Sequence, residues 1–185
     1  MKKLLLTVAL GAACSAAFAQ GTLNFANAGA GVNAPVTVNQ SSTRASGNAY
    51  TVDLYWGPAG TTQSSSLTPL SASAIFNVGA QSGYFTGGAR TVNGVAGGTS
   101  IVVQVRGWQT TVGSTTYTSW GQAAANPLAP IGNSGLFTIT LATAPATPVN
   151  LVGLTSFDIN AVPEPSSFAL AGLGAAALLI FRRRK

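Results

Sequence analysis

The chain has no histidine, and between Gln20 and Pro165 it has neither cysteine nor lysine. Serine or cysteine triads, a zinc site with its usual ligands and a Schiff-base lysine are therefore ruled out by residue type alone. What remains is a pair of carboxylates, Asp53 and Asp158. Two such groups facing each other across a cleft can serve as acid and base on a glycoside. Two aspartates in separate strands more commonly solvate polar faces, so no catalytic residue is expected and the chain reads as non-enzymatic. Calcium needs clustered oxygen ligands, and no Asp-x-Asp pattern occurs. No metal or cofactor is expected. Gly29-Ala30-Gly31-Val32-Asn33-Ala34 resembles a dinucleotide fingerprint, but Pro35 and Val36-Thr37-Val38 continue as extended chain where that motif needs a helix. Asn39-Gln40-Ser41 fits a glycosylation acceptor, a tripeptide short enough to occur by chance.

The aromatic side chains are the remaining groups suited to binding: Tyr55, Trp56, Tyr84, Trp108, Tyr117 and Trp120. Rings stacked on a sheet face suit the apolar C–H patches of a sugar, whose hydroxyls find Asn, Gln and Thr. The competing use is as core, because aromatics bury large areas. Trp56 is expected in the core, Trp108 divides evenly because it shares a strand face with Gln104 and Arg106, and Trp120 is expected exposed. Trp108, Tyr117 and Trp120 are the candidate sugar-binding residues, provided that they cluster on one exposed face.

Strands must position these groups. Tyr50, Val52, Leu54 and Trp56 alternate with Thr51, Asp53 and Tyr55, the period of a half-buried strand. Similar runs are predicted at 72–78, 84–92, 101–108 and 137–141, with weaker ones at 23–26, 36–39, 117–120 and 155–160, and no helix between the chain ends. Gly57-Pro58, Gly87-Gly88, Asn93-Gly94, Gly97-Gly98, Asn126-Pro127 and Gly132-Asn133-Ser134-Gly135 read as turns. The fold class is all-β: a single antiparallel β-sandwich, Ig-like or jelly-roll-like, over residues 20–161 and held by packing alone.

The two ends read as addresses. Lys2 and Lys3, the apolar run Leu4–Ala13 and Ala17-Phe18-Ala19 form a signal peptide over residues 1–19, cut by signal peptidase after Ala19, with Ala17 and Ala19 as the recognised small residues. Cys14 offers lipoprotein processing as an alternative, without the large aliphatic residue expected three positions upstream. Residues 162–185 hold Pro163-Glu164-Pro165, an apolar helix, and the cations Arg182, Arg183, Arg184 and Lys185. From Ser166 to Phe181 a helix reaches only about 24 Å against a hydrocarbon core of about 30 Å, and the basic cluster stops transfer at the cytoplasmic face. The formal charge of +6 belongs to these signals. Residues 20–165 carry three arginines (Arg44, Arg90, Arg106) against three carboxylates, so they offer nucleic acid no positive patch.

The order Val162-Pro163-Glu164-Pro165, Ser166-Ser167, a Gly/Ala/Leu helix and a terminal Arg cluster resembles the sorting signal of PEP-CTERM proteins. The resemblance implies recognition and cutting by exosortase, a multi-spanning membrane transpeptidase of bacteria that make exopolysaccharide. It also implies transient anchoring in the inner membrane, then delivery to the cell surface or extracellular matrix. The segments Gly21–Asn27, Val52–Pro58 and Val103–Trp108 are similar to β-rich regions preceding such tails in secreted proteins of bacteria such as verrucomicrobia, a group without an assigned activity. The resulting expectation is a non-enzymatic surface or matrix protein whose processing partners are signal peptidase and exosortase. A carbohydrate-binding or adhesive module of the exopolysaccharide matrix is the alternative.

Overall fold

The computed structural model describes residues 20–161; the expected signal helix at 1–19 and the sorting tail at 162–185, including Ala17, Ala19, Pro163, Glu164, Pro165 and Arg182–Lys185, lie outside them. In chain order the strands are β1 (Gln20–Ala26), β2 (Ala28–Gly29), β3 (Val32–Asn33), β4 (Thr37–Val38), β5 (Tyr50–Pro58), β6 (Thr68–Ile75), β7 (Thr86–Ala96), β8 (Ser100–Gln109), β9 (Thr111–Val112), β10 (Thr115–Thr116), β11 (Ile131–Asn133), β12 (Phe137–Thr140), β13 (Ala142–Thr143), β14 (Val149–Asn150) and β15 (Asp158–Ile159), and a helix, α1, spans Trp120–Ala124. The protein is all-β, as its alternating runs predict.

Two larger sheets face each other. In the first, β1 is central, paired with β7 on one side and with β13 and β14 on the other. In the second, β5 and β8 form the antiparallel centre, flanked by β6 and by β11 and β12. The inward residues Leu23 and Phe25 of β1, Val52 and Leu54 of β5, Ile101, Val103 and Val105 of β8, and Ile139 of β12 meet in one apolar cluster. Burying each such side chain contributes roughly 1.5–3 kcal/mol, enough to hold the sandwich without a disulfide. Within it, Phe25 and Phe85 pack with ring centroids 4.8 Å apart and planes tilted by 51°.

Both faces of β8 are largely buried, and its polar residues Gln104 and Arg106 fall on the outer one. Its inner face fills the sandwich, while Val102, Gln104 and Trp108 on the outer face lie under the 111–136 segment. A central strand covered on both sides carries apolar residues on its outer face as well, here Val102 and Trp108.

Several expectations are corrected. The pairing is not purely antiparallel: β14 runs parallel to β1, and β15 parallel to β4. Residues 117–120 do not form a strand; Trp120 opens α1, whose N-cap Ser119 accepts a hydrogen bond from the Gln122 N–H. Asn93-Gly94 lies within β7, where the register against β1 shifts between Gln20 and Gly21, so this pair makes a bulge rather than a turn. The turn into β8 falls at Gly97-Gly98, where a Cβ on Gly97 would sit 2.3 Å from Thr143 Cα.

Candidate functional site

Antiparallel pairing of β5 with β8 sets Asp53 opposite Arg106 and Tyr55 opposite Gln104, all on the outer face of the second sheet. The Arg106 guanidinium lies 3.9 Å from the Tyr55 ring centroid and 5.7 Å from that of Trp120, which reaches over from α1. Cation–π attraction at such distances contributes about 0.5–2 kcal/mol per ring. Arg106 Nε also donates to Gln104 Oε1 at 2.9 Å, and Arg106 Nη2 donates to the Ser64 carbonyl. Gln104 is itself held, donating to Asn133 Oδ1 at 3.0 Å and to the Ser134 carbonyl at 2.8 Å. The guanidinium is thus aimed by two layers of hydrogen bonds, and a planar ring stands beside it.

Asp53 borders this cluster where β6 departs from regular pairing. The register against β5 shifts between Val52 and Leu54, and Ala72 adopts φ +68° there. Burial pushes the Asp53 carboxyl above the ordinary aspartate range, opposed by a hydrogen bond with Ser73. Tyr55 is also raised, by burial first and by the neighbouring Asp53 charge second, with Arg106 acting against both. Burial lowers Arg106. Desolvation dominates each shift because this layer excludes water from one side of the sheet.

The structure places the expected sugar-binding residues differently from one another. Trp108 is 0% exposed and Tyr117 6%, packed with Ala123 and Ala129, and the indole Nε1 donates to the Tyr117 carbonyl at 3.2 Å. Neither ring is presented to solvent, which removes both from an exposed stacking face. Burying two large rings beneath α1 is what closes this side of the sheet. Trp120 is only half-buried; it packs against both the Trp108–Tyr117 cluster and the Tyr55 cluster and lies beside Arg106, so the three rings meet in a covered layer rather than in an exposed row. Trp56 packs against the main core. Asp53 and Asp158 are not brought together. Asp53 lies on the outer face of β5, whereas the β15 backbone crosses the inner face, where Ile159 Cδ1 would approach a Cβ on Gly107 to 2.9 Å. Among the described residues no group of three acidic, histidine or cysteine side chains stands together.

Sequence reasoning missed the stacking of Arg106 between Tyr55 and Trp120. Alternation does put Tyr55 and Arg106 on outer faces, but the position of Trp120 depends on α1. Its signal was Ser119-Trp120-Gly121-Gln122, the Ser-x-x-Gln spacing of a capping box, although Gln122 Oε1 reaches the Thr118 N–H, at 2.9 Å, rather than that of the N-cap Ser119.

Beyond the described residues the sequence itself decides the address. Residues 161–185 match the family model of the PEP-CTERM protein-sorting motif. The chain carries a PEP-CTERM sorting motif in its tail. The motif marks it as an exported protein and implies processing by exosortase. Neither the comparison with curated proteins nor that with solved structures produced a match. The sorting motif therefore speaks for the tail alone, and the sandwich has to be read from its own residues. Among those residues no helix is long and apolar enough to cross a membrane.

Proposed function

We propose that this is a non-enzymatic surface or matrix protein, a β-sandwich delivered outside the inner membrane by a tail that exosortase removes. The PEP-CTERM match at 161–185 is the observation that carries the reading. Two features of the sandwich agree with it. The only aspartates lie on opposite sides of a sheet, which leaves no carboxylate pair to work on one bond. The domain is held by one apolar core and by hydrogen bonds, without a cysteine between residues 20 and 161, which suits a load-bearing or spacing role. Intact-mass analysis and fractionation of the product from a host with its native exosortase test this. The expected product starts at Gln20, lacks Ser166–Lys185 and is found at the surface or in the matrix. Full retention of Ser166–Lys185 in mature protein would make the tail a lasting anchor instead.

A second reading, adhesion to exopolysaccharide, is favoured by Trp120, a half-buried ring beside the guanidinium of Arg106. Such a pair suits an acidic sugar, whose ring stacks on the indole while its carboxylate meets the cation. Trp120→Ala is expected to weaken retention on an acidic polysaccharide about tenfold while the circular dichroism spectrum stays that of the folded domain. Unchanged retention would remove this site.

A further inference from the structure

The chain leaves the folded domain at a built turn. Val38-Asn39-Gln40-Ser41 closes with the Ser41 N–H donating to the Val38 carbonyl at 3.3 Å, and its central residues Asn39 and Gln40 have φ of 56° and 51°. This is the left-handed turn in which the second position is normally glycine, because a Cβ there is sterically opposed. Here it carries a glutamine. The Gln40 N–H donates to Asp158 Oδ2 at 2.6 Å and to Asn160 Oδ1 at 2.9 Å, so the turn grips the strand that leads out of the domain. Asn160 is held from its other side by paired backbone hydrogen bonds with Ile131 at 2.9 and 3.0 Å. Around the exit, Asn39, Gln40, Asn160 and Ala161 line a shallow recess of about 220 Å³. The turn residues Asn39–Thr43 beside it are exposed and uncharged.

Chain length connects this recess to the sorting motif. Pro163 follows Asn160 by three residues, and at no more than about 3.6 Å per residue it stays within about 11 Å of that pinned position. An enzyme that grips Pro163-Glu164-Pro165 must therefore come up against the folded surface at the exit. We propose that the amide-lined recess of Asn39, Gln40, Asn160 and Ala161 is the surface on which exosortase seats while it holds the motif. Gln40 holds an exposed amide in a backbone conformation that glycine would adopt at less cost, and that amide is what the recess offers to a partner. The inference rests on the reading of the tail as an exosortase substrate and adds to it a recognition element in the folded domain.

The test uses the full chain expressed with its exosortase, following cut and uncut protein by intact mass. Gln40→Gly removes the amide and relaxes the turn, so the isolated domain should melt no lower than wild type. Cutting should nevertheless slow at least threefold. A second pair of chains carries an eight-residue Gly/Ser insert between Ala161 and Val162, which frees the motif from the recess. In that background Gln40→Gly and wild type should be cut at the same rate. Wild-type cutting of Gln40→Gly in the unextended chain overturns the proposal. So does a defect that persists through the insert, which would place the effect in export or folding. If cutting instead speeds up when β15 is loosened by Asp158→Ala, the enzyme waits for the strand to fray and the recess is not its seat. A tail left intact in every chain, wild type included, defeats the underlying sorting reading and takes this proposal with it; that pattern differs from each of the others.

Discussion

Asp53 and Asn27 show two ways of placing a polar side chain inside this sandwich, with opposite consequences. Asn27 is fully buried and fully satisfied: its Nδ2 donates to the carbonyls of Ala34 and Gly83, each at 2.8 Å, and its Oδ1 accepts from the Phe85 N–H at 2.7 Å. It ties the end of β1 to the chain entering β7. Asn27→Ala would leave the Ala34 carbonyl and the Phe85 N–H without this partner, while the Gly83 carbonyl keeps the Val36 N–H, and is expected to cost about 2 kcal/mol or more, measurable by urea unfolding. Asp53 is a charge held partly out of water, and burial raises its pKa. Below the unfolded-state value of about 4 both states carry the proton and the penalty is absent. As pH rises through the elevated native value the folded state must give up its proton at a cost, so stability falls across that window and stays lower above it. Asp53→Asn should therefore melt higher than wild type at pH 7, with the difference disappearing in acid. A variant that melts lower than wild type at pH 7 would mean that the charge has a partner worth more than its desolvation.

Close approach of backbones governs the elements. A Cβ on Gly132 would lie 2.0 Å from the Asp158 carbonyl oxygen, so β15 can cross β11 only where no side chain stands between them. Gly132→Ala should push β15 off and cost about 2–3 kcal/mol, seen as a lower melting temperature. The same contact explains what was legible in the sequence. Long runs such as Tyr50–Trp56 and Ile101–Trp108 declared themselves through alternation, because their neighbours on both sides are also strands. Gly132-Asn133-Ser134-Gly135 read as a turn because glycine and asparagine favour turns, yet residues 131–133 form β11 and the glycine is there for clearance. Nothing local distinguishes a glycine that bends the chain from one that makes room for a distant segment. The cluster around Arg106 was half legible for the same reason. The faces of β5 and β8 follow from their period, but the ring that completes the site comes from a five-residue helix with a cap and no amphipathic repeat. The address needed no fold at all, since its three parts are consecutive in the chain.

Among the described residues, the three arginines are held by aromatic rings and neutral acceptors rather than by carboxylates. Arg44 lies over Tyr84, Arg90 over Phe25 and Arg106 over Tyr55. Their polar partners are main-chain carbonyls of Ser82, Ala89, Ala72 and Ser64, and the Gln104 amide. Salt screens ion pairs but has little to act on here, so the melting temperature of the domain should move by less than about 2 °C between 20 mM and 1 M sodium chloride. A fall much larger than that would reveal a network of exposed charges. The topology of the first sheet has a different consequence, one of timing. β1 begins at Gln20, yet its partners are β7, β13 and β14, drawn from residues 86–150. A chain exported from its first residue onward delivers the central strand of that sheet before any of the strands that complete it. One edge of β1 waits for β7 and the other stays incomplete until Asn150 has crossed, and pairings of such high contact order form slowly, on a scale of milliseconds to seconds. An open apolar edge during that interval is an aggregation hazard, which makes the passage through the envelope, rather than the finished sandwich, the vulnerable stage in this protein's life.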